Sequence, residues 1–167
     1  MIVLGIDPGY ATIGFGVLEK RGAKLTHIQH GVITTPPELS LSARLHLIWE
    51  DMQTILRLYK PDAMAVEELF FSKNITTGIA VAHARGVILL AGASAGVPIA
   101  EYGPMQVKMA VVGYGKAEKM QVMDMTMRLL GLTNPPKPDD AADALAIAIC
   151  HSHSLREATA RKGEQLQ

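Results

Sequence analysis

The stretch Ile2-Val3-Leu4-Gly5-Ile6-Asp7-Pro8-Gly9 decides how this chain folds. Its apolar residues predict a buried strand over residues 1–7, and the Pro-Gly pair is typical of a turn that ends such a strand. Residues 13–18 and 24–34 predict two further strands after short links. Because short links favour antiparallel pairing, these three strands are expected to pair antiparallel with one another.

After residue 37 the chain alternates between predicted helices and strands. Ser40 is a suitable helix cap, and apolar side chains then recur every three or four residues as far as Tyr59. A uniformly apolar segment at 63–67 predicts a central parallel strand. The remaining predicted elements are a helix at 74–95, a strand at 97–102 and helices at 104–112, 117–130 and 139–154. This order predicts one α/β domain with a mixed sheet over residues 1–154, followed by a polar tail, 155–167, that is expected to fray.

Composition favours a globular domain in a reducing compartment. Of the 167 residues, 49% are hydrophobic and 19% are charged, which is typical of a folded chain. The single Cys150 cannot form an intramolecular disulfide, and no basic-then-apolar leader opens the sequence, so a cytoplasmic location is expected. The longest apolar stretch, residues 86–100, is shorter than the ~20 residues that a membrane helix needs, so no membrane association is expected.

The charged residues are balanced in number but unevenly distributed. The formal net charge is zero, whereas proteins that bind duplex DNA are often basic. Between residues 73 and 128, however, the basic residues outnumber the acidic ones; they are Lys73, Arg85, Lys108, Lys116, Lys119 and Arg128. This segment can therefore form a local basic surface despite the neutral total.

Four carboxylates, Asp7, Glu67, Asp140 and Asp143, stand at the ends of apolar segments. Asp7 and Glu67 end predicted strands, and ligands of α/β sheets gather at the carboxyl ends of strands. Asp140 and Asp143 open a predicted helix and share one face of it. Two such charges 4 Å apart repel by roughly 4 kcal/mol at an effective dielectric constant near 20, and a divalent cation reverses that sign. If the fold brings the four acids together, they predict a site for Mg²⁺ or Mn²⁺.

Asp7, Asp140 and Asp143 also have structural explanations, and that of Asp143 is pairing with a Lys or Arg from elsewhere in the fold. Asp-Pro-Gly is an ordinary turn sequence, and acids in the first turn of a helix stabilise it by capping and through the helix dipole. Asp139 fits this second explanation and is also a competing carboxylate. Glu67 and Glu68 point to opposite faces of a strand, and the alternation favours Glu67 as the residue that shares the face of Ala65, although alternation alone does not decide between them.

Several sequence blocks, taken together, resemble the RuvC family of Holliday junction resolvases. They run in the family's order across residues 3–153: Ile-Asp-Pro-Gly at 6–9 with Gly14, Ala-Val-Glu at 65–67 leading to Phe70, Ser-Lys-Asn at 72–74, Ala-Arg-Gly at 84–86, Gln-Val-Lys at 106–108, Val-Val-Gly at 111–113 with Ala-Glu-Lys at 117–119, and Asp-Ala-Ala-Asp-Ala-Leu-Ala-Ile-Ala at 140–148. Any single block is common, but the ordered set is specific.

The resemblance implies an RNase H-like fold, with a mixed five-stranded sheet flanked by helices, and a homodimer that makes paired nicks in opposing strands of four-way DNA junctions. It implies Mg²⁺ as the cofactor, with Mn²⁺ as an alternative. Two ions per site are expected, because one ion can activate the attacking water while the other stabilises the leaving oxygen. The RuvA-RuvB branch-migration complex is the expected protein partner. The expected catalytic residues are Asp7, Glu67, Asp140, Asp143 and Lys119, of which the four acids are the metal ligands. The expected DNA contacts, from the resemblance or from the basic segment, are Phe70, Phe71, Lys73, Arg85, Lys108, Lys116 and Lys119.

Three rival functions share parts of this pattern. A sugar-kinase or actin-like ATPase carries Asp-x-Gly loops on an RNase H-like core, but it needs two such domains and this chain supplies one. An RNase H-like nuclease acting on RNA hybrids is the closest enzyme alternative. A DNA-binding module without catalysis is the third, and four intact acids argue against it.

One predicted helix carries a stripe of small residues, Gly78, Ala82 and Gly86. Such a stripe permits close contact between helices. It suits a dimer interface, because a two-fold junction needs two identical cuts, but packing within one chain explains it equally well.

Overall fold

The computed structural model describes residues 1–69 and 75–164. In this part of the chain five strands form one sheet and five helices pack on its two faces. None of the helices described is both long and apolar enough to cross a membrane. In chain order the elements are β1 (Ile2–Asp7), β2 (Thr12–Arg21), β3 (Lys24–Thr34), α1 (Leu41–Tyr59), β4 (Ala63–Glu67), α2 (Ile75–Ser94), β5 (Ile99–Tyr102), α3 (Pro104–Val112), α4 (Lys119–Leu130) and α5 (Asp139–Glu164).

β1 lies at the centre of the sheet, whose strand order is β3-β2-β1-β4-β5. β1 pairs antiparallel with β2, and β2 pairs antiparallel with β3, as the short links predict. β4 runs parallel to β1 and β5 runs parallel to β4, because a helix precedes each of them and returns the chain to the same end of the sheet. The prediction of a mixed five-stranded sheet flanked by helices is confirmed.

Alternating strand residues divide the core between the two faces of the sheet. Ile6 and Val66 belong to the hydrophobic cluster under α1 and α2. Ala65 belongs to the cluster on the opposite face, which is covered by α5 together with α3 and α4. Because side chains alternate along a strand, Asp7 and Glu67, which follow Ile6 and Val66, point to the α5 face.

Two glycines let α5 lie directly on the sheet. A Cβ at Gly5 on β1 would collide with the backbone carbonyl of Ala144, and a Cβ at Gly14 on β2 would collide with the carbonyl of Asp140. Gly14 is the cross-strand partner of Asp7. The first turn of α5, which carries Asp140, is therefore held against the end of β1, which carries Asp7.

The start of α1 agrees with the sequence prediction, whereas the end of α5 does not. The Ser40 hydroxyl caps α1 by accepting a hydrogen bond from the N–H of Ala43 at 3.3 Å, as predicted. The predicted end of α5 at Ser154 is wrong, because the helix continues to Glu164. Its last segment is polar but rich in strong helix formers such as Ala, Arg and Glu. The boundary between a nuclease domain and a flexible tail after residue 154 stays a prediction.

Candidate active site

Asp7 and Glu67 end two neighbouring parallel strands. Ile6 is paired with Val66 in the register of β1 and β4, so the two carboxylates follow side by side at the carboxyl ends of these strands. Both are partly buried on the face that α5 covers, whereas Glu68 is exposed. The prediction that Glu67 is the inward residue of the Glu-Glu pair is confirmed.

The start of α5 brings Asp140 and Asp143 to the same place. The backbone of Asp140 contacts Gly14, which pairs with Asp7 across β1 and β2. Asp143 lies almost one turn further along α5 and lines a cleft together with Glu67. Three distant segments of the chain thus meet at the carboxyl edge of β1 and β4, as the predicted metal site requires.

The pKa of Asp7 responds both to burial and to the other three acids of the site. Burial, followed by the charges of Glu67, Asp143 and Asp140, raises the pKa of Asp7 from 3.8 to about 7. Burial also raises the pKa of Glu67, and Asp143 adds to that effect. The charges of the neighbouring acids therefore destabilise the charged forms of Asp7 and Glu67.

Lys119 is a cation within reach of this cluster. Its ammonium lies 3.1 Å from Asp143 Oδ2 and 3.4 Å from Asp139 Oδ2. Burial raises the pKa of Asp143, and Lys119 opposes that rise. Lys119 is the first residue of α4, where the helix dipole disfavours a basic side chain, so the aspartates of α5 stabilise it in this position.

Asp139 and Asp140 have different surroundings although they are adjacent in sequence. Asp139 is exposed and its carboxylate pairs with Lys119. Asp140 is partly buried, and its charge raises the pKa of Asp7. The geometry therefore places Asp140 with the proposed ligands and Asp139 with the lysine.

The chemistry of the four-carboxylate cluster fits a hard divalent cation. All four side chains offer oxygen ligands, the donor type that Mg²⁺ and Mn²⁺ prefer. Burial, followed by the charges of Glu67, Asp143 and Asp140, raises the pKa of Asp7, and a bound cation would oppose these effects by favouring the charged carboxylate. Within residues 1–69 and 75–164, no three His, Cys, Asp or Glu side chains are already arranged as ligands of one ion, and Asp143 is bonded to Lys119. Ligation therefore requires rotation of side chains within the cluster.

A cleft of about 250 Å³ opens beside the acids. Lys108 of α3 and Lys119 of α4 line it together with Glu67 and Asp143, and apolar side chains of α3, α4 and α5 complete its walls. Two of the lysines that the sequence predicts as DNA contacts therefore lie next to two of the proposed ligands. A negatively charged phosphate beside the acids would meet both ammonium groups.

Other predicted DNA contacts remain predictions. Lys116 is exposed in the turn that precedes α4, where it can reach a ligand in solution. Phe70, Phe71 and Lys73 lie outside the residues that the structure describes.

Arg85 is mostly buried and is held by two bonds. Its Nε–H donates a hydrogen bond of 3.1 Å to the backbone carbonyl of Glu67, and its guanidinium pairs with Glu101 on β5. Only 16% of the Arg85 side chain is exposed. Its DNA contact stays a prediction, whereas its bonds fix the end of β4 and so the backbone of a proposed ligand.

Two contacts that hold the end of β4 at Glu67 were not predicted from the sequence. The first is the bond from Arg85. The second is Tyr102, which pairs with Glu67 across β4 and β5 and shares a hydrogen bond of 2.8 Å with His151 Nδ1. A basic residue inside the apolar helix α2, and an aromatic residue at the end of β5, are the sequence signals that indicate such contacts.

Comparisons with known proteins agree on one family. The family model described as "Crossover junction endodeoxyribonuclease RuvC" matches residues 3–151. The curated protein of that name from Syntrophomonas wolfei is 55% identical over 93% of this chain and 91% of its own length, and that from Brevibacillus brevis is 57% identical over 91% and 92%. A solved structure of Thermus thermophilus RuvC in complex with Holliday junction substrate superposes with a TM-score of 0.90 at 40% identity, covering 95% of this chain and 97% of that one.

Proposed function

Because this chain belongs to the RuvC family of crossover junction endodeoxyribonucleases, we propose that Asp7, Glu67, Asp140, Asp143 and Lys119 form its active site. The chain is a Holliday junction resolvase, a divalent-metal-dependent nuclease that nicks opposing strands of a four-way DNA junction. Family membership decides against the ATPase, the RNA-hybrid nuclease and the inactive module. The observation that carries the residue assignment is the convergence of three chain segments in one carboxylate cluster beside a lysine-lined cleft.

Hydrolysis of a phosphodiester requires an activated water, stabilisation of added negative charge and departure of an alkoxide. A divalent cation bound to the carboxylates supplies Lewis-acid activation for these tasks. Asp7 lies between Glu67 on β4 and the first turn of α5, so its carboxylate can act with both. Lys119 holds a positive charge at the mouth of the cleft, where it can stabilise the charge that develops on the phosphate.

We assign Mg²⁺ as the physiological metal, with Mn²⁺ as an alternative, and two ions per site. The support is chemical: four carboxylates carry more oxygen ligands than one octahedral Mg²⁺ that keeps several waters can use. Titration calorimetry with Mn²⁺ and an uncleavable junction should give two ions per site. A stoichiometry of one would contradict the two-ion assignment and leave the carboxylate assignment in place.

We also propose that the enzyme acts as a homodimer, because a two-fold junction requires two identical nicks. One face of α2 suits such an interface. Ile79 and Leu90 are 52% and 57% exposed, and Gly86 between them has open space above its Cα. Gly78 and Ala82 continue the stripe of small residues. The Ala82→Glu variant should sediment as a monomer and lose paired nicking, whereas an unchanged sedimentation coefficient would exclude this face.

The proposed partner is the RuvA-RuvB branch-migration complex, and the proposed location is the cytoplasm. Family membership supports the partner, and the buried free thiol of Cys150, whose pKa burial raises to about 11, suits a reducing compartment. Purified RuvA and RuvB should retain this protein on a junction in sedimentation. Failure to co-sediment at saturating concentrations would contradict the partnership.

Cleavage of a synthetic four-way junction by the purified protein tests the function directly. We expect wild type to nick opposing strands with Mg²⁺, to be inactive in EDTA and to leave linear duplex of the same sequence intact. Asp7→Asn should bind the junction without cutting it. The matched control, Asp51→Asn, alters an exposed acid on α1 and should cut normally. Normal cutting by Asp7→Asn would contradict the proposed active site.

A further inference from the structure

Exposed apolar side chains lie on α3, on the segment that joins α3 to α4, and in the first turn of α4. Met105 is 66% exposed, Met109 is 52%, Tyr114 is 56% and Met120 is 59%. Four large apolar side chains are thus displayed to solvent within sixteen residues. Exposed apolar side chains mark an interaction site where they adjoin one another, whereas single scattered ones are normal on a surface.

Two of these side chains form one patch, and Tyr114 belongs to the turn that packs against it. Met105 and Met109 are one turn apart on the same side of α3. Gly115 lies against both, because a Cβ at Gly115 would be 2.9 Å from Met105 Cγ and 3.6 Å from Met109 Cγ. Tyr114 immediately precedes Gly115, so we call Met105, Met109 and Tyr114 the methionine–tyrosine surface.

Helix α3, which carries both methionines, also lines the cleft beside the proposed ligands, and lysines lie close in sequence to the methionine–tyrosine surface. Lys108, between the two methionines in sequence, lines the same cleft as Glu67 and Asp143. Lys116 is exposed two residues after Tyr114. Between residues 103 and 123 the sequence contains one acid, Glu118. An apolar patch set among lysines is complementary to a nucleic acid, whose backbone is anionic and whose unstacked bases are apolar.

We propose that the methionine–tyrosine surface binds the unpaired bases and deoxyriboses of the junction next to the scissile phosphate, an inference that rests on the proposed function. Tyr114 stacks on a base that the branch point has unstacked, and the methionines pack against the adjoining sugar. Flexible methionines suit this role because they adapt to irregular shapes, and apolar side chains are known to enter unstacked base steps. Intact duplex offers no such bases, so the surface favours branched over linear DNA.

Fluorescence anisotropy with a four-way junction and a linear duplex, in EDTA to prevent cutting, tests this proposal. We expect Tyr114→Ser to weaken junction binding roughly 5- to 150-fold, which corresponds to loss of one base–aromatic stack. The Met105→Ser/Met109→Ser variant should show a smaller loss in the same direction. Duplex binding should change less than junction binding in both. Leu58→Ser, at a 67% exposed position on the α1 side of the sheet, is the matched control and should bind as wild type does.

The salt dependence of binding separates apolar contacts from charge contacts. Tyr114→Ser should lower the affinity without changing the slope of log K against log salt, whereas Lys108→Ala should reduce that slope by about one unit. Junction affinities within twofold of wild type for folded Tyr114 and methionine variants would overturn the proposal. Equal losses on junction and duplex would overturn the preference for unpaired bases. If wild type fails to cut junctions, the proposed function fails; if wild type cuts and the variants bind normally, only this inference fails.

Discussion

Replacing Asp7 by Asn is expected to stabilise the metal-free protein above neutral pH while it abolishes cleavage. Burial and three neighbouring carboxylates raise the pKa of Asp7 from 3.8 to about 7 in the folded chain. Between these two values the folded state binds more protons than the unfolded state, so the free energy of unfolding falls as the pH rises. As the pH falls towards the unfolded value of 3.8 the acid becomes neutral in both states, and most of the penalty is lost by about pH 4. Above about pH 7 the full penalty is present.

The magnitude follows from the size of the pKa shift. A shift of about three units corresponds to about 4 kcal/mol, at roughly 1.4 kcal/mol per unit. Solvent still reaches the partly buried carboxylate and screens its neighbours, which reduces that value. We therefore expect Asp7→Asn to raise the free energy of unfolding by roughly 1–3 kcal/mol at pH 8 in EDTA, and by close to zero at pH 4.

Urea unfolding followed by circular dichroism at the two pH values measures this difference. Saturating Mg²⁺ at pH 8 should reverse the order of stability, because the cation stabilises folded wild type by mass action and binds the variant more weakly. Asp51→Asn should leave the stability unchanged under all these conditions. Equal stability of wild type and Asp7→Asn at pH 8 in EDTA would refute the reasoning, and so would a stabilisation that persists at pH 4.

Three further predictions concern the residues around the acids. Lys119→Met should lower kcat by roughly 10²–10³-fold in single-turnover assays while junction affinity falls less than tenfold, because the lysine charge acts on the transition state. Equal losses of kcat and of junction affinity would assign Lys119 to binding alone. Asp143→Asn should abolish cleavage, whereas Asp139→Asn should retain at least a tenth of wild-type kcat, and the reverse order would exchange their roles. Arg85→Lys and Glu101→Gln should each lower kcat, and the double variant should lose no more than the more damaging single variant, because the two residues act through one ion pair; fully additive losses would show that they act separately.

Elements with strong local signals can be predicted to the residue. The bounds of β4 and α3, at 63–67 and 104–112, coincide with those that the sequence predicts. β4 is uniformly apolar and follows a proline, and α3 begins at Pro104 and ends at Gly113, which adopts a positive φ of 82°. The positions of the acids at the ends of β1 and β4 and in the first turn of α5 can be predicted from the same local signals.

The periodicity of apolar residues does not predict which side chains of distant elements contact one another. The sequence identifies Arg85 and Lys119 as basic residues, but their partners depend on how α2 and α4 pack. Arg85 consequently bonds the backbone carbonyl of Glu67 and the side chain of Glu101, two contacts that its charge alone does not predict. The end of α5 illustrates a second limit, since a change to polar composition indicates loss of burial but not the end of a helix.

An anomalous difference map from crystals grown with Mn²⁺ tests the central claim most directly. A peak should lie about 2.0–2.5 Å from an oxygen of Asp7 and from an oxygen of Glu67 or of the two α5 aspartates, with Lys119 displaced from Asp143. Mn²⁺ peaks confined to other parts of the molecule, with none in contact with Asp7, would contradict it.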